Sequence, residues 1–514
     1  MRILMVSSEV ESFARTGGLG DVVEALSRAL ADLGADVIVV TPMYGITKVP
    51  ENATWWDSPI ESPLGELPLG GRSIRVLEAQ LPTKRPSAGR LRVCLVADPP
   101  LFSRNGIYVD EHGPFTDNPL RFAILSRAAL AIAARAWGVP GLSAGSGDTA
   151  QADAGPDIIH AHDWHAVPAV LYAKLAMGDA WRACPAVFTI HNLAFQGTMG
   201  VEALAELGIP ESAWSSGALK HFDSVNWMKG AIELSDRVTT VSETYAREIL
   251  EPANGHGLDV HLGAHASKLV GIVNGIDADA FDPATEPPIA QRYAARDLRD
   301  MRETLAGKHA CKRALLRECG MDPDDDGPLF ATVSRLTSQK GIDLIADITP
   351  ALVARGGRIL VVGQGDPPYE RALHDLAARF PGRVVARIEF DAALARRIFA
   401  GSDFLLVPSR YEPCGLTQMY AMRYGSIPIV TPVGGLRDTV APLFAARATG
   451  TGIVTASVDA PALLIACEDA LNVRNDSVAW PALVHRAMTR DSSWSSSAAK
   501  YMALYSELSA ARPR

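Results

Sequence analysis

The sequence predicts an α/β protein built from two doubly wound domains that face each other across a cleft. Three observations predict it. Short apolar runs of strand length recur along the chain, helical patterns fall between many of them, and the alternation starts afresh after residue 327. Buried runs of this kind belong to parallel strands covered on both faces. A chain of 514 residues with 48% hydrophobic composition is long enough to bury more than one core.

In the first half, residues 2–9, 36–41, 91–97, 156–161, 185–190 and 237–242 read as buried strands. Asp21–Leu33, Asn118–Ala136 and Trp164–Leu175 carry helical spacing. The boundary is expected near Lys268–Gly275, ahead of the Pro- and Asp-rich Asp277–Pro288, which gives domains at 1–270 and 271–491. Beyond it the strands Leu329–Ser334, Arg358–Gly363, Val384–Phe390, Phe404–Pro408 and Ile427–Thr431 alternate with helices at 341–355, 368–379, 391–400 and 415–425. Trp494, Tyr501, Met502, Leu504, Tyr505 and Leu508 recur at helical spacing, so a helix over about 492–514 is expected to pack back on the first domain. Gly141–Gly155 is small and polar, and is expected to be a mobile surface loop.

Composition excludes several classes. A net charge of −9 argues against a general nucleic-acid or membrane-surface binder. The opening Met1–Val6 run is too short for a signal peptide, and no apolar run reaches membrane-spanning length. Six cysteines without a Cys-x-x-Cys pair fit reduced thiols in a cytoplasm better than disulfides or a zinc site.

The richest motif is Ser409-Arg-Tyr-Glu412-Pro-Cys-Gly415-Leu416-Thr417, which sets a carboxylate and a glycine turn between a buried strand and a helix. Such junctions hold phosphorylated ligands, because open N–H groups attract phosphate while Glu412 is offered to neighbouring hydroxyls. Arg335 and Lys340, in Ser334-Arg-Leu-Thr-Ser-Gln-Lys-Gly341, add two cations at the end of another strand. Together they suggest a diphosphate clamp beside a sugar pocket. Arg15-Thr-Gly17-Gly18-Leu-Gly20-Asp21 and Thr431–Val440 are glycine turns in matching places in the two halves, and the pair favours a ligand in the cleft.

His160-Ala-His162-Asp163-Trp164-His165 gathers imidazoles at a strand end and invites a metal reading, but the later chain offers no comparable cluster to complete a shell. His160 and His165 are expected to satisfy a backbone group or cap a helix. Asp163 is the better candidate for a sugar hydroxyl, and His191, in Thr-Ile-His191-Asn192, occupies another carboxyl strand end. Asn274, in Val-Asn274-Gly-Ile-Asp277, sits at the expected boundary, where a plain Asn-Gly turn is the simpler reading of the motif alone.

Taken in order, these motifs, with Asp236–Ser242 and Gly434–Val440, resemble the bacterial glycogen synthase and plant starch synthase family, retaining glucosyltransferases of the GT-B fold, over essentially the whole chain. The resemblance implies transfer of glucose from ADP-glucose to the non-reducing end of an α-1,4-glucan such as glycogen, with no metal and no cofactor. It implies that Arg335 and Lys340 neutralise the departing diphosphate. Glu412 would hold donor hydroxyls, the His191 carbonyl would face the anomeric carbon, and Asp163 would lie on the acceptor side. Arg15, Gly17, Gly18, Asn274, Phe390, Gly415, Leu416 and Thr417 would line the donor. Retention would follow front-face attack, with the leaving phosphate taking the acceptor proton, so no pair of carboxylates is needed.

Four positions depart from the family pattern: Arg15 replaces the usual lysine, Phe390 a base-stacking tyrosine, Phe281 a common tryptophan and Ile453 a common aromatic. Alternatives are the same clamp with another nucleotide-glucose donor, a glucan-binding relic without catalysis, or a metal-dependent hydrolase built on His160 and His162.

Overall fold

The computed structural model describes residues 1–61, 72–84, 89–139, 155–287, 289–444 and 448–511. The stretch expected to be a mobile loop therefore lies outside the described residues, apart from Gly155. The chain forms two compact units, one of Met1–Val241, Ala246–Gly275 and Trp494–Arg514, the other of Ser242–Tyr245 and Ile276–Ser493. Each is a doubly wound α/β unit. Among the described residues, no helix is long and apolar enough to cross a membrane.

The first unit's main sheet runs through β1 (Arg2–Val6), β2 (Asp36–Pro42), β3 (Thr54–Trp55), β4 (Ile60–Glu61), β5 (Ser73–Leu81), β6 (Arg90–Ala97), β7 (Ile158–His162), β8 (Ala186–Ile190), β9 (Arg237–Thr240) and β10 (Leu269–Gly271). Its order is β10-β9-β8-β7-β1-β2-β6-β5-β3, with β4 on β5. From β10 to β6 every pairing is parallel, and β5 joins β6 antiparallel. The central strands are wholly buried, the polar side chains of His160, His162 and Thr189 included. Strand β5, held between β6 and β3, is mixed: Ile74 and Val76 are buried on one face and Leu77 and Ala79 on the other, while Ser73, Arg75 and Gln80 are exposed.

Helices α1 (Gly18–Asp32), α2 (Asn118–Trp137), α3 (Asp163–Leu171), α4 (Trp227–Leu234) and α5 (Asp259–Ala264) belong to the same unit. Helix α1 starts three residues before the expected Asp21. The Glu9 carboxylate accepts the N–H groups of Thr16 and Gly17 at 2.6 and 3.1 Å, which satisfies donors just ahead of the helix. Helix α3 stops at Leu171, short of the expected Leu175, and continues as a π turn over Tyr172–Ala176; Pro168 removes one bond from its ladder. The C-terminal helix Trp494–Ala510 lays Trp494, Ala498, Tyr501, Tyr505 and Leu508 into the core shared by α1 and β1.

The second unit holds a six-stranded parallel sheet: β11 (Leu329–Val333), β12 (Arg358–Val362), β13 (Val384–Arg387), β14 (Phe404–Val407), β15 (Ile427–Val430) and β16 (Ile453–Val454), in the order β13-β12-β11-β14-β15-β16. That is the strand order of a dinucleotide-binding sheet. Helices α6 (Met301–Glu318), α7 (Ile342–Ala354) and α8 (Thr417–Arg423) are joined by further helices at Pro367–Arg379, Ala392–Gly401, Ala460–Arg474 and Ala479–Thr489.

Candidate active site

In the second unit, β11 and β14 lie side by side while their successors leave in opposite directions, to β12 and to β15. Such a reversal opens a crevice at the carboxyl ends of the two strands. The loops that leave those ends are Ser334–Gly341 and Ser409–Gly415, and they are tied together. Arg410 gives a two-pronged bond to Asp343 at 2.8 and 2.6 Å and a third bond to the Ser338 carbonyl at 2.8 Å. Gln339 Nε2 donates to the Tyr411 carbonyl at 3.2 Å, and Arg410 N donates to the Gln339 carbonyl at 2.8 Å. Gly341 permits the approach: its φ is +67°, and a Cβ there would lie 2.2 Å from the Pro408 carbonyl oxygen.

This tie brings together three of the expected site residues. Lys340 Nζ lies 2.5 Å from Glu412 Oε2, and Ser409 Oγ donates to the same oxygen at 2.9 Å. Glu412 is only 6% exposed, so its charge is held by partners rather than by water. Arg335 is exposed, steadied by Gln339 Oε1 at 3.3 Å. Gly415, with φ +72°, turns the chain into α8, leaving Leu416 and Thr417 half-buried at the helix start. Beneath this loop packs the Gly434-Gly435 turn, where a Cβ on Gly435 would stand 2.3 Å from Cys414 Cα. Phe390 lies past the end of β13 with 81% of its surface exposed.

The first unit repeats the reversal between β1 and β7. After β1, the Glu9 carboxylate gathers the Thr16 and Gly17 amides and the Tyr108 hydroxyl, the last at 2.5 Å. The Gly17 N–H is thus already used, yet a Cβ on Gly17 would meet nothing within 4 Å. Arg15 bridges Glu11, at 3.0 Å, and Asp21. Burial, reinforced by Glu11, pushes Asp21 up to about 7 despite Arg15. Gly18 opens α1.

After β7, Asp163 adopts φ +55°, a left-handed conformation in which aspartate is among the more tolerated side chains. Its Oδ1 accepts the His191 N–H at 2.8 Å and the Asn192 N–H at 3.4 Å, so it fixes the backbone at the end of β8. Burial raises Asp163 from 3.8 to about 7, although those two amides oppose the rise. His191 Nε2 meets His162 Nδ1 at 3.0 Å; burial pushes His191 down to about 3 and His162 well below its usual value, so both imidazoles are neutral. Asn274, on the segment after β10, is buried with its Oδ1 unpartnered among the described residues, an acceptor awaiting a donor.

The expectation for His160 and His165 needs correcting. His160 satisfies side-chain hydroxyls rather than a backbone group: Nε2 meets Thr189 Oγ1 at 2.6 Å and Nδ1 meets the Tyr505 hydroxyl at 2.7 Å. Both ring nitrogens are spent, which leaves neither for a metal. His165 stacks on Tyr108 with ring centroids 4.5 Å apart and packs edge-on to Phe122, so it is an aromatic core residue and no cap.

Residues 2–264 match the family model described as the starch synthase catalytic domain, and residues 327–473 match that of glycosyl transferases group 1. The glycogen synthase of Anaeromyxobacter dehalogenans (strain 2CP-C) is 44% identical over 99% of this chain and 100% of its own length. The chain belongs to the glycogen and starch synthase family. Glycogen synthase 2 of Geobacter sulfurreducens is 38% identical over 98% of both chains. Among solved structures, the catalytic domain of starch synthase IV from Arabidopsis thaliana, bound to ADP and acarbose, superposes with a TM-score of 0.83 at 31% identity, covering 99% of each chain. As a member of this family, the protein is a glucosyltransferase of glycogen or starch synthesis.

The roles of several residues of this synthase site are not legible in the motifs. Glu9, Ser409, Gln339 and the Arg410–Asp343 pair hold the glycine turn and the two clamp loops in place. The available signal was Glu9 itself, an acidic residue placed directly after a buried strand.

Proposed function

We propose that the donor is ADP-glucose, that the acceptor is the non-reducing end of an α-1,4-glucan, and that transfer retains the α configuration in the cytoplasm. The observation that carries this reading is the pair of tied loops at the reversal point of the second sheet. It sets Lys340 against the buried carboxylate Glu412, on a loop that also carries the cation Arg335. The starch synthase IV structure that resembles this chain was determined with ADP and acarbose bound. All six cysteines are buried, which accords with thiols of a reducing compartment.

In the proposed reaction the bond from the anomeric carbon to the β-phosphate oxygen breaks, and a bond forms to the acceptor O4. The acceptor hydroxyl passes its proton to the departing diphosphate on the same face. Negative charge grows on that diphosphate, and Arg335 and Lys340 are the cations that offset it. Both internal contacts of Glu412 fall on Oε2, so Oε1 is the oxygen offered to the donor-sugar hydroxyls. Gly415, Leu416 and Thr417 lie against the sugar and phosphate, and the exposed Phe390 ring supplies a face on which adenine stacks. In the first unit, Asp163 aligns the His191 backbone, whose carbonyl stabilises the oxocarbenium-like centre, while Arg15, the open space over Gly17 and Gly18, and Asn274 contribute to holding the donor.

Incubation of the protein with glycogen and ADP-, UDP- or GDP-glucose in excess EDTA tests this. Glucan-dependent nucleotide release fastest with ADP-glucose is expected. Faster release with another donor overturns the donor assignment, and release from none overturns the transferase reading.

A further inference from the structure

Glu233, on α4, faces two histidines that stand four residues apart, His261 within α5 and His265 at its end, so their rings share one face of that turn. Glu233 Oε2 lies 3.0 Å from His265 Nε2 and 3.7 Å from His261 Nε2, and the three ligand atoms all lie within 4.8 Å of one another. The two rings are inclined at 66° with centroids 4.8 Å apart, so they meet edge to face and do not stack. Two imidazoles and a carboxylate form a recurrent zinc set, and a tetrahedral shell of bonds near 2.0–2.1 Å has ligand-to-ligand edges of about 3.4 Å, inside the spread seen here. The side chains are partly exposed, at 39%, 15% and 20%, so an ion can reach them from solvent.

Nearby cations do not fill the position. Lys229 Nζ is held by the Gly217 carbonyl at 2.5 Å, and Lys268 Nζ by the Glu233 carbonyl at 2.8 Å. Without an ion the imidazoles serve as hydrogen-bond donors: His265 Nε2 to Glu233 Oε2, and His261 Nε2 to the Lys229 carbonyl at 3.2 Å.

We propose that Glu233, His261 and His265 bind one zinc-class divalent cation, with water in the fourth position, as a staple between α4 and α5. The staple is separate from the transfer chemistry and does not rest on the donor assignment. Its consequence for the fold is local. Asn226 caps α4 by accepting the Lys229 N–H, and its Nδ2 donates to Gln196 Oε1 at 2.6 Å. Gln196 Nε2 in turn donates to the His256 carbonyl at 3.0 Å, just ahead of α5. Joining α4 to α5 therefore braces the loop that follows His191 and Asn192.

The test is titration of the chelator-stripped full chain with cobalt(II), followed by competition with zinc and by melting with and without zinc. One equivalent of cobalt with the intense visible bands of tetrahedral coordination, displaced by zinc, is expected, together with a zinc-dependent rise in Tm. His265→Gln and Glu233→Gln should each weaken cobalt affinity by at least about a hundredfold, the top of the range for loss of outer partners alone, and abolish the rise in Tm. His112→Gln, at an exposed histidine elsewhere, should change neither. The proposal is overturned if the wild type binds cobalt no more tightly than those site variants, or shows only the weak spectrum of octahedral cobalt. Either result leaves the three side chains as a hydrogen-bonded cluster. Should His265→Gln melt cooperatively only at reduced temperature, Glu233→Gln gives the same comparison in a chain that keeps both imidazoles.

Discussion

At the scale of single residues, the clamp makes the sharpest demands. Lys340 and Glu412 neutralise each other in a site that water scarcely reaches, so removing either leaves the other charge uncompensated as well as taking away a transition-state contact. Lys340→Ala and Glu412→Ala should each lower turnover by about a hundredfold or more, about 3 kcal/mol. Near-normal turnover in a variant that still melts cooperatively contradicts the role given to that residue. Arg15 is held by Glu11 and Asp21, so its place is set by the protein before any donor arrives. Arg15→Lys should therefore change the donor KM within about tenfold and by the same factor for ADP- and UDP-glucose; a shift in the ratio of their kcat/KM values would make position 15 a specificity residue. Asp163 carries a pH signature. Its folded pKa, about 7, stands above the unfolded value near 3.8, so its contribution to stability is complete below the lower figure and is lost as pH rises through the higher one. Asp163→Asn removes that loss, and the gap in Tm between variant and wild type should move in favour of the variant from pH 5 to pH 8. The full effect is up to about 4 kcal/mol, at about 1.4 kcal/mol per pH unit; melting curves that stay parallel over that range would contradict it.

At the scale of elements, the legible parts were those whose whole signal lies in one short run. The buried strands β1, β7, β8, β11 and β14 are short and mostly apolar, and were found within a few residues. Helix α6 was missed because its inward face carries charges: Lys308 reaches the Ala400 and Tyr424 carbonyls at 3.1 and 3.2 Å, and Lys312 pairs with Asp403 at 2.5 Å. Polar groups satisfied inside the fold look like surface in a sequence. Strand β5 was missed because Arg75, Glu78 and Gln80 interrupt its apolar residues, and the adjacency of β11 with β14 is a long-range pairing that no local pattern encodes. The clamp residues were thus readable as motifs, whereas the bonds that set their loops side by side were not. Two changes probe those bonds. Gly341→Ala forces a Cβ against the Pro408 carbonyl at a positive φ, so it should displace the Arg335–Lys340 loop and cut activity by about tenfold or more, at a backbone cost of roughly 1–2 kcal/mol. Wild-type kinetics in that variant would show that the loop spacing is not critical. Tyr505→Phe leaves His160 Nδ1 without its partner in a buried site and should cost about 1–3 kcal/mol in stability, read as a lower Tm; an unchanged Tm would show that the C-terminal helix is held by packing alone.

At the scale of the whole molecule, bulk charge and composition excluded partners without naming one, and the motifs carried the functional reading. The two sheets share a design in which strand order reverses at the centre, and each reversal is lined by residues the motifs had singled out: Arg15, Asp163 and His191 in one unit, Arg335, Lys340 and Glu412 in the other. Membership of the glycogen and starch synthase family makes the chain a glucosyltransferase; the proposed donor is ADP-glucose, the proposed linkage α-1,4 and the proposed outcome retention. The most direct measurement is a proton NMR time course with ADP-glucose and a short maltooligosaccharide in EDTA. The account predicts new α-1,4 anomeric signals that grow in step with ADP, with no free glucose. Release of free glucose in step with ADP, growth of β-linked signals, or transfer from UDP-glucose but not ADP-glucose would contradict it.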